Sequence, residues 1–285
     1  MASSTHSAGQ YYLPAPSKWP IAAATAMLFL GFGAALTVND LIPGYVLLAI
    51  GFAIFVYMLF GWFGTVAHES ESGMHNRQVD TSFRWGMSWF IFSEVMFFAA
   101  FFGALFYVRV FSAPWLADIE HKLLWPDYTR TWPTAGPAFK EAFTPIAAWG
   151  LPAINTLLLL SSGVTVTFAH WALKENKRGA LIAWLAATIA LGVTFLGVQM
   201  YEYGHAYTEL NLKLTTGVFG STFFMLTGFH GFHVTVGCIM LSVILGRSIA
   251  GHFKPEHHFG FEGVAWYWHF VDVVWLLLFI MVYWL

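Results

Sequence analysis

Residues 90–106 read FIFSEVMFFAAFFGALF. Apart from Ser93 and Glu94, every residue in the run is apolar or glycine. A helix needs about 20 mostly apolar residues to cross the hydrocarbon core of a bilayer, and this run lies inside such a stretch. A carboxylate near the centre of a membrane helix costs roughly 2.5–3.5 kcal/mol on insertion scales. Glu94 therefore needs a buried partner, a proton, or both. It follows Arg84 by 10 residues, about 15 Å of helical rise, which places it near the midplane. Helical spacing puts Phe90, Ile91, Phe97 and Phe98 on its face. Two readings of Glu94 follow. It is either a protonated acid hydrogen-bonded into a helix interface, or a site that exchanges protons or controls access to a neighbouring protein.

Composition extends this local reading to the whole chain. Of 285 residues, 58% are hydrophobic, 19% aromatic and only 10% charged, against about 25% charged in soluble domains. The chain is expected to be an integral membrane protein. Its net charge of −2 says nothing about nucleic acid, no basic cluster suggests such a partner, and none is expected. Cys238 is the single cysteine, so neither an internal disulfide nor a paired-thiolate metal site is open to it. The opening MASSTHSAGQYYLPAPSKWP is polar and Pro-rich. It lacks the basic region and small-residue cleavage site of a signal peptide, and 1–20 reads as an N-terminal tail.

Seven spans are expected: Ile21–Val38, Gly44–Ala67, Trp85–Phe111, Ile146–Leu173, Gly179–Tyr201, Thr215–Gly246 and Glu262–Leu285. The resulting organisation is helices 1–2 over 21–67 and a five-helix bundle over 85–285. A long loop at 112–145 carries five prolines and is too polar for lipid. Lysine and arginine favour the cytoplasmic side. One side receives Lys18, Arg77, Arg84, Lys174, Lys177, Arg178, Arg247 and Lys254; the other receives Arg109, Lys122, Arg130, Lys140 and Lys213. This predicts a cytoplasmic N-terminus and an external C-terminus. Trp19, Trp62, Trp85, Trp171 and Trp284 fall near span ends, as interface anchors do. No internal repeat suggests a transporter with inverted halves.

Two further pairs of polar residues lie within spans. In FHGFHV, His230 and His233 are three apart on one helix face. They could ligate a metal, but no cysteine or carboxylate near them in sequence completes a common site. The favoured reading is that each satisfies a buried hydrogen bond. Both are candidate partners of Glu94, since their helix sets them at similar depth. In EGVAWYWHFVDVVW, His269 and Asp272 are also three apart and read as a structural polar pair, the acid orienting the imidazole. A di-haem membrane cytochrome wants axial histidines about 20 Å apart along each of two helices. His230 and His233 are too close for that, His269 is alone on its helix, and His170 and His205 fall near helix ends. A binuclear copper centre needs more than Cys238.

At this point the residues resemble a known family. FIFSEVMFFAAFFGALF, GSTFFMLTGFHGFHV and HHFGFEGVAWYWHFVDVVWLLLF are similar to the signature segments of subunit III of aa3-type cytochrome c oxidase, in its bacterial form. FRWGM, LPAINTLLLLSSGVTVTFAH and KENKR follow in the same order, so the resemblance covers about residue 60 to the C-terminus. It implies an all-α membrane protein of seven transmembrane helices, helices 1–2 and 3–7 forming two bundles around a V-shaped, lipid-binding cleft. It implies no catalytic residue, metal or redox cofactor on this chain; haem a and copper belong to partner subunits, and structural phospholipids are held. The expected partners are subunit I by direct packing and subunit II nearby, with cytochrome c acting on the complex. The complex, located in the bacterial inner membrane, is expected to reduce O₂ to water while pumping protons, with subunit III stabilising subunit I and supporting proton uptake. Glu94 corresponds to the family's buried, carbodiimide-reactive acid. Lipid contacts carry over onto Trp62, Glu69, His75, Arg84, Arg247 and His252; the polar run HESESGMHNRQVDTSFR departs from the family's version around Glu69.

Two other readings compete with this one. A subunit III serving a haem-copper quinol oxidase shares the fold and several motifs, and differs in whether the partner subunit II carries copper. A free-standing channel or transporter needs a continuous polar line, and Glu94, His230, His233, His269 and Asp272 do not supply one.

Overall fold

A computed structural model of the chain describes residues 12–139 and 141–284. The first 11 residues of the expected tail, the counted charge Lys140 and the terminal Leu285 lie outside the described residues. The described residues hold seven helices long and apolar enough to span a membrane. We number them α1 (Trp19–Val38), α2 (Pro43–Glu71), α3 (Arg77–Tyr107), α4 (Leu151–Lys174), α5 (Arg178–Thr208), α6 (Gly217–Ala250) and α7 (Phe259–Leu278). No strand is present among them; the lone backbone bridge joins Lys254 to His257. The chain divides into two compact units between Phe83 and Arg84.

The first unit is a helical hairpin. α2 opens with Pro43 at its first turn, where the missing N–H loses nothing. Asp40 takes φ +58° in the connection. The two helices approach closely because glycines line their contact: a Cβ added to Gly33 would lie 2.7 Å from the Leu48 nitrogen. With lipid outside, there is no water to drive the helices together, and such small-residue contact is what holds membrane helices. At the ends, Lys18 Nζ donates to Tyr57 Oη at 3.2 Å and Trp19 Nε1 to Thr65 Oγ1 at 3.2 Å.

α3 begins earlier than its apolar run. Asn76 Oδ1 accepts the Val79 N–H at 3.0 Å, satisfying one of the free donors of the first turn. Thr81 and Ser82 then turn their hydroxyls onto the carbonyls four residues back, at 2.9 and 3.1 Å. Polar residues are thus accommodated in the helix before Trp85. Past Tyr107 the helix widens into a π turn over Val108–Ser112 and ends with the turn Ala113–Leu116.

In the second unit α4, α5, α6 and α7 pack in a ring, each on the next, with α7 returning to α4. Trp268 and Trp275 of α7 are fully buried at its centre. Their indole N–H groups donate to Ser162 Oγ at 2.9 Å and Thr156 Oγ1 at 3.0 Å on α4, so each ring is buried with its polar atom satisfied. Gly192 of α5 and Gly237 of α6 make room for the Trp268 ring. α3 meets this ring through aromatic side chains: Phe97 on Phe229 (5.0 Å between ring centres), Phe98 on Phe270 (6.1 Å) and Phe90 on Tyr267 (6.2 Å).

The long loop after α3 is tied to the α5–α6 end of the bundle. Thr134 and Ala135 carbonyls accept the first N–H groups of α6, from Phe219 (3.2 Å) and Val218 (3.1 Å). Trp132 and Phe143 pack on Phe219. α6 ends in Gly251 at φ +82°, the left-handed cap that glycine adopts without strain, and Arg178 donates to the closing carbonyls of Ser248 (3.0 Å) and Ile249.

Candidate functional site

Glu94 and His233 meet inside the membrane span. Glu94 Oε2 stands 2.9 Å from His233 Nε2. The other ring nitrogen, Nδ1, faces the Phe229 carbonyl at 2.6 Å. A carbonyl only accepts, so Nδ1 carries the hydrogen and a neutral ring offers Nε2 as an acceptor. The 2.9 Å contact then requires one proton shared by the pair, on the acid or on the imidazole. Aromatic rings shield it: Phe98 and Phe97 lie 5.0 and 5.9 Å from the His233 ring, with Tyr267 stacked at 6.4 Å. Tyr267 also donates its hydroxyl to the His233 carbonyl at 3.3 Å. Removing water strengthens such a contact and makes its loss costlier.

His230, the other candidate partner, does not reach Glu94. It is fully buried inside the bundle, where Nε2 faces the Val271 carbonyl at 3.1 Å and the ring packs on Phe195 and Trp275. Three residues turn a helix by about 300°, or 60° short of a full turn. That offset directs His233 to α3 and His230 to α7.

His269 and Asp272 are brought together at 3.7 Å, the acid buried and the imidazole half-exposed. Thr167 Oγ1 lies 3.4 Å from His269 Nε2.

A second polar centre stands at the opening of α7, and sequence reasoning missed it. Glu262 Oε1 lies 3.3 Å from His258 Nε2 and 3.5 Å from His170 Nε2, and the two imidazole nitrogens are 3.2 Å apart. Arg84 forms an ion pair with Glu262 Oε2. His258 Nδ1 faces the Lys254 carbonyl at 3.2 Å, which fixes its tautomer as at His233. The donor atoms of His170, His258 and Glu262 lie within 4.8 Å of one another, close enough to share a metal ion. Arg84 already supplies a cation beside Glu262. The only signal in the sequence was HHFGFE, which sets His258 and Glu262 four apart at a helix start.

The residues assigned to lipid divide between the two units. In the first, Trp62 is exposed, and Glu69 lies 3.6 Å from His75, which packs edge-on against Phe83 at 5.1 Å. In the second, Arg84 keeps 37% of its side chain exposed beside Glu262 and lies over the Phe259 ring at 5.6 Å. Arg247 lies 4.7 Å over Phe253, and His252 is exposed at the end of α6.

The family model described as cytochrome c oxidase subunit III matches residues 9–285. The chain belongs to the cytochrome c oxidase subunit III family. Among curated relatives, the cytochrome c oxidase subunit 3 of Formosania lacustris is 41% identical over 280 residues, 98% of each chain. That of Marchantia polymorpha is 40% identical over 275 residues, 96% of each chain. The Pylaiella littoralis protein is 41% identical over 275 residues, covering 96% of this chain and 93% of its own. The role that follows is an accessory subunit of an oxidoreductase complex in the respiratory chain, embedded in a membrane by seven helices. A subunit III works with other subunits, and the family carries no redox cofactor of its own.

Proposed function

We propose that this chain is the non-redox subunit III of a proton-pumping, aa3-type cytochrome c oxidase in a bacterial inner membrane. Its N-terminus is cytoplasmic and its C-terminus periplasmic. It packs on subunit I, with subunit II nearby, and those partners hold the haem a and copper that pass electrons from cytochrome c to O₂. Its own part is to stabilise subunit I, hold phospholipids and support proton uptake.

The observation that carries this reading is the Glu94–His233 contact at 2.9 Å. A midplane acid answered by one histidine, one proton between them and aromatic rings around, is a means of holding a proton. It is neither a redox centre nor a conduction path. The lipid role is supported by Arg84, Arg247 and the exposed His252 near helix ends. Cationic side chains there donate charge-assisted hydrogen bonds to phosphate. In the first unit Trp62, Glu69 and His75 offer an exposed indole and an acid and imidazole 3.6 Å apart.

The test is purification in mild detergent through a tag on this chain, followed by an optical spectrum and metal analysis. Co-purifying haem a and copper, with neither on the isolated subunit, is the expected result. Haem remaining on the isolated chain would overturn it and turn His230, His233 and His269 into ligand candidates. A complex whose subunit II lacks copper would move the assignment to a quinol oxidase.

A further inference from the structure

Inside the second unit lies a third polar group, which neither the Glu94 pair nor the Glu262 cluster uses. Asn155 Oδ1, Glu202 Oε2 and His230 Nδ1 are buried with no hydrogen-bond partner among the described residues, and the buried Gln199 amide, set beside the Tyr203 and Tyr283 hydroxyls, makes no hydrogen bond of good geometry. Their side chains are between 0% and 4% exposed. Buried polar atoms in native structures are nearly always satisfied, by protein or by ordered water.

These groups follow one another along α5. Phe195, Gln199 and Glu202 follow at four- and three-residue spacing on one face of α5, within about 11 Å along the helix. At one end Tyr283 donates its hydroxyl to Glu202 Oε1 at 2.6 Å. At the other, the Phe195 ring packs on His230 at 5.7 Å and the Phe195 carbonyl accepts Asn155 Nδ2 at 3.3 Å. Trp275 closes the side, 5.1 Å from His230 and 6.0 Å from Tyr283.

Two of the unmet atoms, His230 Nδ1 and Asn155 Oδ1, cannot satisfy each other. His230 Nε2 donates to the Val271 carbonyl, so Nδ1 of the neutral ring is an acceptor. Asn155 donates its NH₂ to Phe195, so Oδ1 is an acceptor too. Two acceptors repel, whereas water can donate a hydrogen to each. Glu202 has no ion-pair partner among the described residues. Nearby His205 pairs with Glu209 at 3.2 Å, Tyr203 bonds Thr227 Oγ1 at 2.6 Å, and Tyr207 Oη accepts the Leu214 N–H at 3.2 Å. An unpaired carboxylate only 1% exposed is costly, and a proton on Oε2 removes the charge and creates a donor.

We propose that the interior of α4–α7 encloses a hydrated pocket in which Glu202 binds an exchangeable proton and ordered water joins it, through Gln199, to His230 and Asn155. The pocket is a second buried proton site, separate from Glu94, since His230 turns inward where His233 turns to α3.

Infrared spectroscopy of the intact oxidase complex, exchanged from H₂O into D₂O, tests this. A protonated-carboxyl stretch that shifts down in D₂O, disappears in Glu202→Gln and persists in Glu94→Gln is expected. Tyr283→Phe, which removes the hydroxyl from Glu202 Oε1, moves that band to higher frequency. It also carries the test should Glu202→Gln fail to assemble. Coincident wild-type and Glu202→Gln spectra, or no shift in Tyr283→Phe, overturn the proton. A band insensitive to D₂O, or a density map with no water within hydrogen-bond reach of His230 Nδ1 and Asn155 Oδ1, overturns the hydrated pocket.

Discussion

His233 presents Nε2 to Glu94 Oε2 at 2.9 Å while its own Nδ1 is committed to the Phe229 carbonyl. The imidazole cannot switch tautomers without losing that second bond, so the proton between the two side chains is held by geometry. Glu94→Gln keeps a donor facing Nε2 and removes the exchangeable proton. The expected outcome is an assembled complex with intact electron transfer and slower proton uptake, or a shorter lifetime in turnover. Stopped-flow proton uptake and time to inactivation measure both. If neither changes, Glu94 contributes packing alone.

Glu262 is the acid on which Arg84, His170 and His258 converge. Glu262→Gln leaves Arg84 without its carboxylate, a loss of about 1–3 kcal/mol. Residues in one such network are not additive, so Arg84→Gln combined with Glu262→Gln should cost less than the two singles summed, by about 0.5–3 kcal/mol. Thermal unfolding of the detergent-solubilised complex across the four variants gives the coupling directly. Strict additivity would mean the ion pair contributes nothing to folding.

Much of the architecture was legible because lipid simplifies it. A span must be long, apolar and internally hydrogen-bonded, and the seven runs met that condition. Span ends were less legible. α3 starts at Arg77 rather than Trp85, since Thr81 and Ser82 satisfy their hydroxyls on the helix itself and no hydropathy pattern records this. Glu94 announced its need for a partner by its depth, yet His230 and His233 sit at nearly the same height and only the packing of α3 separates them. The Glu262 cluster was hidden for a different reason. His258 is its neighbour in sequence, but His170 and Arg84 arrive from two other helices, and no local spacing foretells that meeting.

Orientation can be read from accessibility. Ile119, in the loop after α3, is 87% exposed, and the Glu175 side chain, between α4 and α5, is 59% exposed. In a Cys238→Ala background, Ile119→Cys should react with a membrane-impermeant maleimide added to intact spheroplasts. Glu175→Cys should react only after the membrane is opened. The reverse pattern would invert the charge-based topology.

Gly237 and Gly246 lie on the same helix, α6, and differ in what faces them. A Cβ on Gly237 would come 2.7 Å from the Trp268 ring, while one on Gly246 meets nothing within 4 Å. Trp268 cannot retreat easily, since it is fully buried and its Nε1 is bonded to Ser162 at 2.9 Å. Gly237→Ala should therefore destabilise the subunit by about 1–3 kcal/mol, the usual range for an overpacked core. Gly246→Ala should be neutral, or slightly stabilising through its better helix propensity. Thermal unfolding of the two variants in the same detergent compares them. Equal midpoints would show that the α6–α7 contact yields, and that Trp268 is not the rigid centre of the bundle.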